Sequence, residues 1–446
     1  VRSSRHRRQG KGRALAAALC AIGCGIAFPS VPRAQLNSLQ GPIGVSLVPP
    51  PVFTERGNPF ARPGLSEPQT VLDWLVYPSA FAGLSFDSNP QQVSAGSASS
   101  VGLRLVPSLL AQRQDGIHNT TIYGVVDSST SFNRSNADVF SAQTGLTETY
   151  LPMPELVVTG QGDFTRQQSA FSNLVTANSL TTLNPTGVGL SPTNGSATYN
   201  QFSGAASVQK NFGDTFVILG GSAVDLAYDR GSGAAAAASP NGATYTGRGR
   251  VGTSLMPDLY GYVEGALDTR DFGALSSSGY RVVSGLGSDG IGLFRGEVFG
   301  GYQSESYRSA AIGTVSGLLL GGGVSYYPLP EFAISAGLNQ VMGASSLVST
   351  TNSAAGTATR VTSLLGQASY ALAREWAASA RGGYIHTDYV GSVRRDDALT
   401  IGTTFTYTIW RTLGLTFDYQ HTELNSNVAL QGFSRDMVTI GATYRY

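Results

Sequence analysis

The strongest constraint in the sequence is a period of two held over long runs. At the C-terminus Val438, Ile440, Ala442, Tyr444 and Tyr446 alternate with Thr439, Gly441, Thr443 and Arg445. Leu413, Leu415, Phe417 and Tyr419 alternate with Gly414, Thr416, Asp418 and Gln420. Leu399, Ile401, Thr403, Phe405, Tyr407 and Ile409 alternate with Thr400, Gly402, Thr404, Thr406 and Thr408. Successive side chains of an extended chain point to opposite faces, so each run reads as a strand with one apolar and one polar side. The runs are roughly 10 to 15 residues long, against about 5 or 6 for strands of soluble sheets and about 9 to 11 for a tilted strand crossing a bilayer. Length therefore points to a closed sheet in a membrane and away from a soluble sandwich.

The connections alternate in kind. Tight turns are expected at 113–116, 152–154, 212–214, 256–258, 328–330, 374–375 and 410–412, with longer loops between them, the asymmetry of outer-membrane barrels. Strands laid between these markers give an all-β fold: a single transmembrane antiparallel β-barrel of about 18 strands, with 16 as the alternative. The higher number requires Gly279 to Gly287 to be a short strand of its own. An even number places both the N- and C-termini on the short-turn side, expected to be periplasmic. Aromatic residues gather at strand ends, where two interfacial girdles would need them. Phe212, Phe216, Tyr260, Tyr326, Tyr327, Phe332, Trp376, Trp410, Tyr444 and Tyr446 lie near the tight turns or the C-terminus. Tyr228, Tyr245, Tyr280, Tyr302, Tyr384 and Tyr419 lie near the longer loops.

Composition agrees with this reading. Charged residues make up only 13% of the 446-residue chain, against about 25% in typical soluble domains. The formal charge of +1 hides an asymmetry, because Arg2, Arg5, Arg7, Arg8, Lys11, Arg13 and Arg33 precede Gln35 with no acid among them. Beyond them 22 basic residues face 28 acidic ones, a balance of −6, which argues against a nucleic-acid partner. That first segment has a cationic stretch, an apolar run from Ala14 to Phe28 and a small residue at Ala34, so residues 1–34 read as a secretory signal peptide. Both cysteines, Cys20 and Cys24, fall inside it. The sequence from Ala21 to Cys24 also has the form of a lipobox, leaving Cys24 as an alternative lipidation site. Residues 35–74 are rich in proline and read as an extended periplasmic leader, and residues 75–446 as the barrel.

Four segments resemble the outer-membrane β-barrel porin family often found beside exopolysaccharide gene clusters. They are Val76 to Asn89 (VYPSAFAGLSFDSN), Leu103 to Gly116 (LRLVPSLLAQRQDG), Leu293 to Tyr307 (LFRGEVFGGYQSESY) and the terminal Met437 to Tyr446 (MVTIGATYRY). The resemblance implies a cell outer membrane location after export and a passive diffusion channel for small hydrophilic solutes. The alternative is a non-pore component for polysaccharide export or envelope assembly. Implied partners are outer-membrane lipid, small hydrophilic solutes or an exported polysaccharide, and the barrel-assembly machinery, for which Tyr444 and Tyr446 resemble the aromatic-ended insertion signal. Association of copies into a homo-oligomer is left open.

On the alternation above, the face opposite the apolar set looks into the lumen and carries the charges. Arg104, Arg248, Arg250, Glu264, Asp268, Arg295, Glu297, Arg381 and Asp418 all fall on it and are the candidates for pore selectivity. Facing lipid at mid-depth would cost an arginine about 2 to 4 kcal/mol, so inward placement follows from energy alone. Two readings compete for them: opposed charges setting a transverse field, or cross-strand pairs such as Arg250 with Glu264 or Glu297 that stiffen the wall. The segment from Gln167 to Gln209 has no charged residue and could be a surface loop or a neutral constriction folded inward; Ala234 to Ala238 reads as a loop tip. No cofactor, metal cluster or enzyme motif is expected. The nearest approach to one is His386 beside Asp388 and His421 beside Glu423, each needing a rim serine to complete a hydrolase triad.

Overall fold

The computed structural model describes residues 69–445 except 91, 93, 134–137, 169–197, 229–240, 292, 311, 330, 346–356, 374, 391 and 430–431. The signal segment, most of the leader, the middle of the Gln167 to Gln209 segment, Ala234 to Ala238 and Tyr446 lie outside the described residues.

The strands are β1 (Gln69–Val71), β2 (Trp74–Asp87), β3 (Ser100–Gln114), β4 (His118–Ser131), β5 (Val139–Met153), β6 (Leu156–Gln168), β7 (Thr198–Phe212), β8 (Thr215–Tyr228), β9 (Gly242–Met256) and β10 (Leu259–Asp271). They continue with β11 (Ser277–Ile291), β12 (Phe294–Tyr307), β13 (Thr314–Leu329), β14 (Phe332–Ser345), β15 (Thr357–Tyr370), β16 (Trp376–Val390), β17 (Arg395–Trp410), β18 (Leu413–Ser426) and β19 (Phe433–Arg445). β1 is a short hairpin partner of β2. The other 18 strands pair antiparallel with their sequence neighbours, and β19 pairs with β2, so the sheet closes on itself. Closure removes every free edge but one partial seam between β13 and β14, described below, which is what a sheet surrounded by lipid requires.

Connections of five residues or fewer follow the odd-numbered strands from β3 to β17, and every connection longer than that lies at the other end of the barrel. In the β3–β4 turn the Asp115 carboxylate accepts the His118 N–H at 2.9 Å, while Gly116 takes a φ of 91° that suits a residue without Cβ. β2 starts and β19 ends at this short-turn end. Pro107 sits where the β3–β4 ladder skips from Leu105 to Ser108, a gap that spares the missing N–H.

Gly279 to Gly287 belongs to a strand of its own, as the count of 18 requires, but a longer one than expected, β11, of which it is the middle. Its glycines interrupt the apolar alternation because neighbouring rings cover them: a Cβ on Gly285 would stand 2.6 Å from Tyr262 Cζ, and Gly287 lies beneath Tyr260. Strands take up both ends of the uncharged Gln167 to Gln209 segment, β6 as far as Gln168 and β7 from Thr198.

The outer face carries a band of exposed apolar residues, among them Leu84, Leu105, Leu219, Val263, Leu267, Leu318, Leu364, Ile401, Phe405 and Ile440. Phe294 stacks on Tyr326, Phe332 meets Tyr370 edge-on and Trp376 packs on Tyr407 near the turn end. Trp410 and Tyr444 are exposed there, and Tyr245, Tyr280, Tyr302 and Tyr384 near the loop end. Phe216, Tyr260 and Tyr327 do not join the girdle. Phe216 and Tyr260 are buried in an inner cluster, and Tyr327 lies under Arg295, 5.9 Å from its ring centroid.

Candidate functional site

The inner wall has two different chemistries. Across β8–β13 it is packed: Phe216, Ile218, Tyr260, Tyr262, Val283 and Leu319 form one buried cluster with Phe299 against it. Arg250 stands within this layer. Its Nε donates to Glu264 at 2.8 Å and its Nη1 to Glu297 at 2.9 Å. Tyr262 donates to Glu297 as well, and the guanidinium lies 3.9 Å above the Tyr262 ring. The Arg250 and Glu264 side chains are 1% and 0% exposed. Of the two readings of these charges, the structure shows the cross-strand pairing of Arg250 with Glu264 and Glu297 and no place on an aqueous path, because the aromatic layer on β8–β12 encloses them. Arg248 beside it is half-buried, with its Nη2 enclosed. At such a site a charge is held by pairing, and removing one partner leaves the other uncompensated.

A second cluster stands above it, toward the loop end. Arg270 Nε donates to Asp268 at 3.0 Å, its Nη2 lies 3.6 Å from Glu305, and its Nη1 donates to the Met342 carbonyl at 2.8 Å. Asp268 was expected on the inner wall; Glu305 faces inward beside it, and Arg270 is the counter-charge of both carboxylates.

The sector formed by β2–β6 and β15–β19 is different. Its inner face presents half-buried hydroxyls, with Ser79 beside Ser108, Ser85 beside Ser129 and Thr416 beside Thr443. Arg104 grips Asp127 through two bonds of 3.0 and 2.6 Å. Arg381 grips Asp418 at 2.9 and 3.0 Å and also donates to Thr404 at 2.8 Å. Here water reaches three of the four charges: Arg104 and Asp127 are 25% and 28% exposed and Asp418 22%, while Arg381 is covered at 6%. Arg104 also interacts electrostatically with Asp418, so the four charges alternate in sign around the inner wall. Asp127 was missed in the sequence because the Val-Val-Asp-Ser stretch around it shows little contrast between faces. Near the loop end Arg435 pairs with Asp87 across the closing strands.

The two histidine candidates each find a carboxylate on the neighbouring strand. His386 Nδ1 is 2.7 Å from Asp397 Oδ1, which also accepts the Tyr384 hydroxyl; Asp388 is a second contact at 3.3 Å. His421 Nδ1 is 2.8 Å from Asp436 Oδ1, which accepts Tyr419. Both Tyr-x-His/Asp units sit at the loop end on the outer face, in line with exposed Leu399 and Ile401. They form a polar border above the apolar band, and no serine bonds to either histidine among the hydrogen bonds described.

A closed antiparallel barrel with a lipid-facing apolar band and ion pairs on its inner wall defines an integral outer-membrane, porin-like protein. The chain belongs to the family described as "Putative beta-barrel porin 2", whose model matches residues 68–446. Among solved structures it is similar to OpdQ of Pseudomonas aeruginosa, at 9% identity and a TM-score of 0.43, over 84% of this chain and 98% of that one. It is also similar to the copper transporter OprC, at 10% identity and a TM-score of 0.45 over 85% and 82% of the two chains. An anion-selective porin from Comamonas acidovorans matches at 13% identity and a TM-score of 0.35 over 84% and 99%. No curated protein sequence matches the chain.

Proposed function

We propose that the barrel passes small hydrophilic solutes by passive diffusion, without catalysis, along the hydroxyl-lined sector of β2–β6 and β15–β19. Arg104, Asp127, Arg381 and Asp418 would set its ion preference. The observation that carries this reading is the exposure of Arg104, Asp127 and Asp418 on the inner wall, in contrast to the enclosed pairs around Arg250. Fixed charges beside a water path filter ions by sign, whereas pairs sealed in packing do not. The test is the reversal potential of the purified barrel in a planar bilayer under a salt gradient. D127N/D418N should shift it toward anions and R104Q/R381Q toward cations, while the combination of Arg250→Met with E264Q and E297Q should leave it unchanged. Equal reversal potentials in all three would place the path elsewhere.

In this reading the short-turn end and both termini face the periplasm, the outer belt meets outer-membrane lipid, and the Tyr444 strand is read by the barrel-assembly machinery. Val393 and Leu372 are exposed at opposite ends. In intact cells an impermeant thiol reagent should label V393C and spare L372C; the reverse pattern would invert the barrel. The second reading, a non-pore component for polysaccharide export or envelope assembly, draws support from apolar packing that fills part of the interior at the loop end. A correctly folded barrel without discrete conductance would favour it.

A further inference from the structure

The wall has one irregular seam. β13 pairs with β12 along nearly its whole length, from Tyr326 with Phe294 to Thr314 with Ser306. β14 pairs with β15 likewise, from Phe332 with Tyr370 to Ser345 with Thr357. Between β13 and β14, however, the ladder covers only Gly322–Tyr326 with Ile334–Leu338, and then Leu329 with Phe332. It stops at three consecutive glycines, Gly321, Gly322 and Gly323, and Gly322 has a φ of 152° that L side chains rarely adopt.

Above this point β14, still paired with β15 and through it with β16 as far as Ala358 opposite Val390, turns inward beneath β13. Met342 and Ala358 are 2% and 1% exposed, packed with Tyr199, Leu226, Phe272, Tyr307 and Val315 of the opposite inner wall. A Cβ on Gly317 of β13 would lie 3.4 Å from Met342 Cε and 3.0 Å from Arg360 Nη2, so the displaced pair underlies β13 instead of continuing beside it. On the pair's other face Val361 packs against Ile385, Ala398, Leu424 and Phe433. The Arg270 bond to the Met342 carbonyl fixes the pair from within. Apolar packing on both faces makes this segment a partition across the loop-end interior.

We infer that the upper half of the β14–β15 pair is a gate: carried on the edge of β16, it bends where its ladder to β13 ends, at Gly322 with Leu338, is latched inside by Arg270, and is able to return to the wall beside β13. This deepens the diffusion reading and rests on it. The register that already joins Gly322 to Leu338, carried upward, sets Leu320 opposite Gln340 and Leu318 opposite Met342. Leu318 and Leu320 already face outward, so the returned Met342 would meet lipid, restoring the alternation of a complete wall. Return would also make the backbone bonds that the seam now lacks, which matter most where no water can replace them. Opposing it, Arg360 shares the Met342 face and would turn toward lipid, a penalty that falls toward the interface. These terms oppose each other, as a two-position element requires.

The described barrel contains no cysteine, so engineered pairs report the two positions directly. G317C/M342C should be joined by a short bifunctional thiol reagent in resting outer membranes. L320C/Q340C should form a disulfide on oxidation, because directly opposed residues hold their Cβ atoms about 4.5 to 5.5 Å apart. Once oxidised, L320C/Q340C should conduct at least several-fold more than its reduced form, and R270A should speed its oxidation. The gate is overturned if L320C/Q340C stays reduced in a barrel that runs as folded on a heat-modifiability gel, or if its oxidation leaves conductance unchanged in a conducting barrel. If both pairs cross-link while every form stays silent, the movement stands and the diffusion reading fails.

Discussion

At the scale of single residues, the inner arginines divide by what surrounds them. Arg250 is enclosed by Glu264, Glu297 and the Tyr262 ring with almost no access to water. Truncating it leaves two buried carboxylates without their counter-charge, a loss that typically costs about 3 to 5 kcal/mol. R250A should therefore lower the temperature at which the barrel loses its compact gel mobility. The combination of Arg250→Met with E264Q and E297Q removes the charges together and should recover much of that loss. If R250A melts like the unaltered barrel, the cluster is not a unit of wall stability. The hydrated Arg104 behaves oppositely, since its removal affects the field along the water path more than the packing.

Among the elements, glycine and aromatic positions are matched across neighbouring strands. Gly285 is covered by Tyr262, Gly252 by Phe216 and Gly321 by Phe299, so a large ring on one strand takes the space a missing side chain leaves on the next. Outward Gly265 has no atom within 4 Å of its Cβ position. G285A should displace the Tyr262 ring, weaken its bond to Glu297 and cost about 1 to 3 kcal/mol as overpacking does. G265A should be nearly neutral in the same melting assay, and equal melting of the two would show that the ring has room to move. This matching also explains what the sequence disclosed. The strands at 399–410, 413–426 and 433–445 were plain because their outward sets are apolar and their inward sets polar. In β8, Phe216, Ile218, Val224 and Leu226 face inward opposite Val217 and Leu219, so both faces are apolar and alternation is silent about which is which. β11 was truncated for the related reason that its inward glycines look like punctuation. The turns were legible from Pro, Gly and Asp, and the inward parity of the nine selectivity candidates from alternation. Their division into dry and wet groups was not, because it depends on rings brought from other strands. The partition by β14 and β15 depends on a lost ladder, which leaves only the three glycines as a trace.

Across the whole molecule, every pairing joins strands adjacent in the chain except the one that closes the circle. β19 meets β2 over nine residue pairs, from Met437 with Asp87 to Arg445 with Ser79, and Arg435 holds Asp87 across 348 residues of sequence at the loop end. Hairpins can add one after another with short loops to close, but this last contact must bring together the ends of the entire sheet. The entropy of that encounter grows only slowly with chain length, yet it is met all at once and has no local contact to precede it. Assembly is then a zipper with a single long-range step, and its timing is governed at one junction. D87N/R435Q should slow the appearance of the compact form during refolding into lipid vesicles several-fold, while D127N, on a local hairpin, should leave the rate nearly unaltered. Equal rates would move the slow step away from the junction. Until β2 and β19 meet, both present open edges, so the interval before closure is when this chain is most exposed to pairing with a second copy of itself.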